Sequence, residues 1–405
     1  MNATKLSTLP TELIHTVSGH LELKDLLALC RTSHQIHAIS LGWIYRAITL
    51  QNSVQMLEFC KTIISRPEAA GSVRKLVVTG NCYPKCGLKS FYSIFGSAIM
   101  TMKNLRFLDL RNPTITSLSL LPGADDPHSN YEISTTQPIR MPKLEVFHGP
   151  ALVACSVVPG SRVSRIAIPW DARPVIEFST AFATLTTSKV DITDFACTIW
   201  AWDPALLAAI ATYMPRIERL QIMNMEFLSG SSSTLPKEVS NTVHYLCPRA
   251  GSLVARISFL AFDNTLRSLS RLSGLMISDM PGNHGIDQQL DLEFETVQRW
   301  AEISPVLARV TSSATMWIRL PGNLWFPGDP MQISPQTTQC LKWFIRKVLT
   351  WPDPPAAYDV MADLAGGREE MAVLRSAMER YGFVPDFDIS HKENGIPFVA
   401  FPSNS

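Results

Sequence analysis

The sequence predicts an α/β chain: three short N-terminal helices, then an irregular solenoid of alternating strands and helices, then a helical C-terminal cap. Three observations lead there. Apolar residues recur at helical spacing through the first fifty positions. Between residue 51 and about residue 350, short apolar runs of strand character alternate with helical stretches. Helical periodicity then dominates the last hundred residues. Alternation with strands this short suits a curved repeat array better than an antiparallel sandwich, and a closed α/β layer fold is the alternative.

Composition bounds the rest. The 405 residues are 46% hydrophobic and 18% charged, enough for two to four folding units at roughly 100–200 residues each. A wholly disordered chain is excluded. With 36 Lys plus Arg against 35 Asp plus Glu, the net charge is +1, which argues against a nucleic-acid binder that tracks phosphates and against a polybasic membrane-surface protein. Eight cysteines without regular spacing read as buried thiols rather than a disulfide framework. The opening residues lack the apolar core of a signal peptide, and no segment reaches the roughly 18 consecutive apolar residues of a membrane span. The expectation is a soluble cytoplasmic or nuclear protein.

The first helix follows Leu9-Pro10, with Leu13, Ile14 and Val17 at helical spacing and Pro10 suited to a first turn. A break at Ser18-Gly19 leads to the second, where Leu23, Leu26, Leu27 and Cys30 repeat i, i+3, i+4, i+7. Thr32-Ser33 offers a cap for the third, whose stripe runs through Ile36 and Ile39 to Trp43, Ile44 and Tyr45. Three helices in about forty residues bury little area, so this unit should want a partner surface. Its four histidines, His15, His20, His34 and His37, read as a solvated helix face, because a zinc site needs four converging ligands and no second Cys or acidic partner lies at a usable spacing.

Leu9-Pro10-x-Glu12-Leu13, the segment Leu23-Lys24-Asp25-Leu26-Leu27 and the closing Trp43-Ile44-Tyr45-Arg46 together resemble an F-box, in register over residues 8 to about 50. The resemblance implies a surface for a Skp-family adaptor made by Leu9, Pro10, Leu13, Ile14, Leu23, Leu26 and Leu27, with Trp43 and Tyr45 completing the packing. Ser18-Gly19 stands where a bulky apolar pair commonly ends the first F-box helix, which predicts a weaker helix and weaker partner affinity.

Beyond residue 50 several segments fit a loosened leucine-rich-repeat skeleton, L-x-x-L-x-L-x-x-N. Val73-x2-Leu76-x-Val78-x2-Asn81 matches best and Leu105 to Leu110 is the clearest by eye. Others are Leu144/Phe147, Val163/Ile166/Ile168, Val190/Ile192, Ile217/Leu220/Ile222, Ile257/Phe259, Leu272/Leu275/Ile277 and Ile318/Leu320. When roughly three residues in ten are large and apolar, the skeleton arises by chance about nine times in a body this long. The material between therefore carries the weight. Residues 53–64, 90–102, 203–214 and 240–246 read as helices, with Asp203-Pro204 a good cap and first turn. Residues 121–142 and 229–233 are Pro, Gly, Asp and Ser-rich loops. Toward the end, helices are expected over 295–303, from Ser334-Pro335 through Leu341, Phe344, Ile345 and Val348, and over 368–381, with a stiff Trp351-Pro352-Asp353-Pro354-Pro355 link. The predicted division is a helical unit at 1–50, a repeat domain at 51–350 and a capping segment at 351–405.

No catalytic motif is present: no G-x-G-x-x-G, Walker loop, G-x-S-x-G elbow, H-E-x-x-H or paired C-x-x-C. Cys82-x3-Cys86 reads as a turn. Trp200, Trp202, Trp317, Trp325 and Phe326 suit core positions better than a ligand pocket, and the small basic groups Arg216/Arg219 and Arg346/Lys347 suit solvated faces. No enzyme activity, cofactor or metal is expected. Proteins resembling this arrangement, especially fungal-type ones with degenerate repeats, are substrate-receptor subunits of SCF-type cullin–RING ubiquitin ligases, reaching cullin through the Skp-family adaptor. The alternatives are an F-box scaffold outside any ligase and a stand-alone repeat module.

Overall fold

A computed structural model describes residues 9–79, 88–110, 139–170, 177–199, 203–224, 262–278, 286–312, 315–320, 324–327, 340, 343, 344 and 347. The chain is mixed α/β, divided into two compact units, Met1–Leu269 and Ser270–Ser405.

The first unit opens with α1 (Thr11–Ser18), α2 (Leu23–Leu29) and α3 (His34–Ile44). Pro10 precedes α1 in an extended conformation and so sits just outside the first turn it was expected to occupy. Ser33 caps α3 as predicted, its hydroxyl accepting from the Ile36 amide at 3.2 Å. Only Tyr45 and Arg46 separate α3 from β1 (Ala47–Leu50), and α3 packs on α5 (Pro67–Ser72). The helices are thus joined to the sheet without a linker.

The body alternates strands and helices: α4 (Ser53–Ser65), β2 (Lys75–Val78), α6 (Leu88–Thr101), β3 (Phe107–Asp109), β4 (Val146–His148), α7 (Ala151–Val157), β5 (Arg165–Pro169), α8 (Phe178–Leu185), β6 (Asp194–Ile199), α9 (Pro204–Tyr213) and β7 (Arg219–Asn224). Each strand from β1 to β7 runs parallel to the next in chain order. Parallel neighbours need a crossover, and among the described residues a helix supplies it between every pair from β1 to β7 except β3 and β4. One register row passes through Ile48, Leu76, Leu108, Phe147, Ile166, Phe195 and Leu220, and from Leu76 onward every member is at most 2% exposed. Caps fix the helix starts: Asn52 accepts from the Gln55 amide at 2.9 Å, and Asp203 accepts from the Ala205 amide at 2.8 Å, as its sequence predicts.

In the second unit β8 (Gly274–Ser278) is parallel to β9 (Arg309–Ser312), across α10 (Ile286–Ile303). Then the pattern changes, because β10 (Thr315–Leu320) is antiparallel to both β9 and β11 (Leu324–Pro327). Trp317 and Trp325 are fully buried and Phe326 nearly so, which bears out their core assignment. The Trp317 indole donates to Glu293 at 2.9 Å, satisfying a buried N–H.

Several expectations need correction. Val190/Ile192 is not a strand; β6 begins at Asp194, and its buried residues are Phe195, Cys197 and Ile199. Small Cys197 hid the alternation, although a buried thiol packs as an apolar group. Ile318/Leu320 is a strand but lies in the antiparallel part, so it continues no repeat. The helix placed at 295–303 starts at Ile286, with Leu290, Phe294, Val297 and Ala301 all buried on its inner face. Helices α5, α7 and α8 and strands β1, β9 and β11 were not anticipated. Helix α7 is buried from Val153 to Val157 and so shows no amphipathic period. Expectations for Asn81, Cys82, Cys86, Trp200, Trp202, Ile257, Phe259, residues 229–246 and residues 351–405 lie outside the described residues, as does most of 121–142.

Candidate functional site

The three N-terminal helices bury few residues among themselves. Ile14, Leu26 and Ile36 form the small core, with the side chains of Ser18 and Ser40 also enclosed. Gln35 reaches from α3 to the Thr11 hydroxyl of α1 at 3.4 Å. What remains outside is apolar: Leu13 is 53% exposed, Val17 54%, Leu23 59% and Leu27 48%. Leu13 and Val17 lie four residues apart on α1, and Leu23 and Leu27 four apart on α2, so each helix presents a two-residue apolar ridge.

Of the residues singled out from sequence, Leu13, Leu23 and Leu27 are thus on the surface, as is Pro10, while Leu9, Trp43 and Tyr45 are half-buried. Ile14 and Leu26 point into the unit's own core, where they hold the two ridges in place. Val17 joins this surface although the F-box resemblance does not name it; its i+4 spacing from Leu13 marks it. Beside Leu23, Lys24 and Glu22 pair at 3.0 Å and are largely solvated.

Trp43 locks the unit's end. Its ring lies 4.9 Å from the His15 ring, and the Arg46 guanidinium sits over it at 4.3 Å from the centroid. A Cβ at position 19 would meet the Trp43 ring at 2.8 Å. Gly19 is therefore what lets the indole close on the end of α1. Within the Ser18-Gly19 pair, Gly19 thus meets a packing requirement that the sequence does not show. The closure leaves the Trp43 indole N–H buried with no partner among the described residues.

His15, His20, His34 and His37 are all exposed, a solvated face as expected. His37 Nδ1 lies 3.2 Å from the Cys30 carbonyl. Burial pushes the half-buried Cys30 thiol up, with a smaller opposing effect from Ser40. The basic groups Arg216 and Arg219 pair with Asp191 and Asp194, and Lys347 pairs with Asp291. Among the described residues no cluster of three or more His, Cys, Asp or Glu forms, and no helix is long and apolar enough to cross a membrane.

The family model for the F-box domain matches residues 6–42. The chain is an F-box protein. The matched span takes in both apolar ridges and ends one residue before Trp43, so the F-box includes the exposed surface, while Trp43, which closes on the end of α1, and Arg46, whose carbonyl accepts from the Arg74 and Lys75 amides, follow directly. F-box domains in general bind Skp-family adaptors and suggest an adaptor role in SCF assemblies. None of the curated proteins matches this sequence.

Proposed function

We propose that this chain is the substrate-recognition adaptor of an SCF-type cullin–RING ubiquitin ligase. The F-box docks a Skp-family adaptor through Leu9, Pro10, Leu13, Leu23 and Leu27, together with Val17. The body that follows is an irregular leucine-rich-repeat-like solenoid that holds the target protein. Catalysis belongs to the partner RING protein and conjugating enzyme, and this chain contributes proximity and orientation.

The observation that carries the reading is the pair of half-exposed aliphatic ridges inside the F-box span. Burying the exposed half of four such side chains contributes roughly 1 kcal/mol each, and each 1.4 kcal/mol is about tenfold in affinity. The solenoid reading is supported by the parallel order of β1 to β7 and by the register row itself. Its members Ile48, Leu76, Leu108, Phe147, Ile166, Phe195 and Leu220 are 28, 32, 39, 19, 29 and 25 residues apart. Three of these intervals fall within the roughly 20–29 residues of a leucine-rich repeat. The direct α3-to-β1 junction suits an adaptor, because it fixes the angle at which a target is presented.

The test is affinity purification of the full chain with and without proteasome inhibition, beside a Leu13→Asp/Leu27→Asp variant. The wild type is expected to recover a Skp-family adaptor and cullin, and the variant neither. Recovery of the Skp adaptor without cullin turns the reading to an F-box scaffold outside any ligase. Equal Skp capture by the variant rules out the ridges as the docking surface.

A further inference from the structure

Arg46, Arg74 and Arg106 each stand one residue before a strand, at equivalent positions of β1, β2 and β3. The backbone proves the equivalence. The Arg46 carbonyl accepts from the amides of Arg74 and Lys75 at 2.9 and 3.0 Å, and the Arg74 carbonyl accepts from Arg106 and Phe107 at 2.8 and 3.0 Å. Neighbouring strands lie about 4.7–4.9 Å apart, so three guanidinium-bearing residues form successive rungs across roughly 10 Å of sheet edge. Glu145 occupies the fourth rung and meets Arg106 at 3.5 Å, in a pair exposed on both sides.

A fourth cation is tied to the same edge. Asn104 donates to the Gly71 carbonyl at 2.7 Å and accepts from Lys143 Nζ at 2.7 Å, while Arg74 donates to that same carbonyl at 2.6 Å. Arg74 is therefore anchored, and the Arg46 guanidinium sits over the Trp43 ring. Among the described residues, neither Arg46 nor Arg74 has a carboxylate partner, whereas Arg216, Arg219 and Lys347 each have one. Partial burial, and after it the charges of Arg106 and Arg46, pull the Arg74 guanidinium below the usual arginine value. Like charges stacked in fixed positions repel, and an incoming anion relieves that repulsion.

We propose that the Arg46–Arg74–Arg106 ladder, with Lys143 beside it, binds an acidic segment of a protein partner. Guanidinium groups held in place match carboxylates with paired N–H donors, and an extended acidic segment laid across the strands carries several carboxylates over the roughly 10 Å that the three rungs span. The short span and a chain net charge of only +1 favour such a segment over a nucleic acid, which needs a longer basic track. The ladder lies outside the aliphatic ridges, so this proposal does not depend on Skp docking.

The experiment uses the full chain and a fluorescent peptide carrying six consecutive glutamates, its glutamine counterpart, and a single-stranded oligonucleotide of equal charge, read by anisotropy at about 50 mM and 300 mM salt. The glutamate peptide is expected to bind at low salt and to weaken at high salt as screening sets in. The glutamine peptide is expected not to bind. Arg46→Glu/Arg106→Glu should weaken binding at least about tenfold, while Arg31→Glu/Arg162→Glu, with the same change in net charge at exposed positions elsewhere, should weaken it less than about twofold. Arg106→Gln alone provides a milder variant should the double one unfold, and should weaken binding by a few-fold. Absence of peptide binding at low salt, or equal loss from the two double variants, overturns the ladder as a site. Tighter binding of the oligonucleotide than the peptide overturns the choice of partner.

Discussion

Leucine is used in opposite ways in the two halves of the first unit. In the F-box helices Leu13, Leu23 and Leu27 are about half exposed, whereas Leu76, Leu108 and Leu220 on strands β2, β3 and β7 are at most 1% exposed. A three-helix unit has too little volume to enclose its own aliphatic residues, but a strand backed by helices encloses them fully. The same residue type is therefore cement in the body and, on the function proposed above, adhesive in the F-box. Removing it should damage stability in one place and binding in the other.

The largest effect is expected in the body. Phe147 is fully buried in the register row and touches the glycine that follows its strand: a Cβ on Gly149, whose φ is +159°, would lie 2.9 Å from the Phe147 ring. Phe147→Ala should destabilise by about 3–5 kcal/mol through lost burial and the cavity left behind, measured by urea unfolding. A change below about 1 kcal/mol would mean that the row is not a load path of the fold.

Thiols sharpen the contrast. Burial pushes Cys60 in α4 and Cys155 in α7 up to about 12, against a starting value of 9.0. In the unfolded chain these thiols ionise from about pH 9, while the folded protein keeps their protons until about 12. The native state then holds more protons than the unfolded one. Stability is therefore unaffected below about pH 9 and falls as pH rises from there, by something on the order of 2 kcal/mol per thiol near pH 10.5. Urea midpoints at pH 8 and pH 10.5 check the sign, and a flat response would contradict it. Under native conditions at pH 8, alkylation followed by peptide mass mapping should label half-buried Cys30 before Cys60 and Cys155.

Next comes the end of the helical unit. Gly19→Ala drives a methyl into the Trp43 ring and should destabilise by about 1–3 kcal/mol, lowering Skp-adaptor capture in parallel. Asn52→Ala removes the α4 cap just after β1 and should cost about 1 kcal/mol, with capture unchanged. If both variants affected capture equally, the F-box would be less tied to Trp43 than its packing implies.

Legibility in the sequence follows the same division. The F-box helices are readable because each carries an apolar face against a polar one, and the start of α3 because Ser33 caps it. Strands β2 to β5 and β7 are readable because large apolar residues occupy their inward positions. Helix α7 was lost because it is buried all round, β6 because Cys197 occupies an inner position, and β1 because it follows α3 with only two residues between. The part of the site that could not be read was the division between inside and outside. Ile14 and Leu26 share a helical stripe with Leu13 and Leu27, and only the packing of α3 decides which of them face inward. The meaning of Gly19 was hidden for a similar reason, since its neighbour Trp43 is twenty-four positions away.

The smallest expected change in stability is the most telling. Leu13→Ser/Leu27→Ser alters two residues that are already about half in water, so most of what burial in a fold can contribute is absent at these positions. Unfolding free energy should move by less than about 1 kcal/mol in total, as for ordinary surface substitutions. Skp-adaptor capture, by contrast, should fall by at least about tenfold, because the two side chains are buried only when a partner covers them. A variant that loses capture while keeping its urea midpoint places these leucines in an interface. One that loses both places them in the fold, and would erase the distinction between the F-box leucines and those of the sheet.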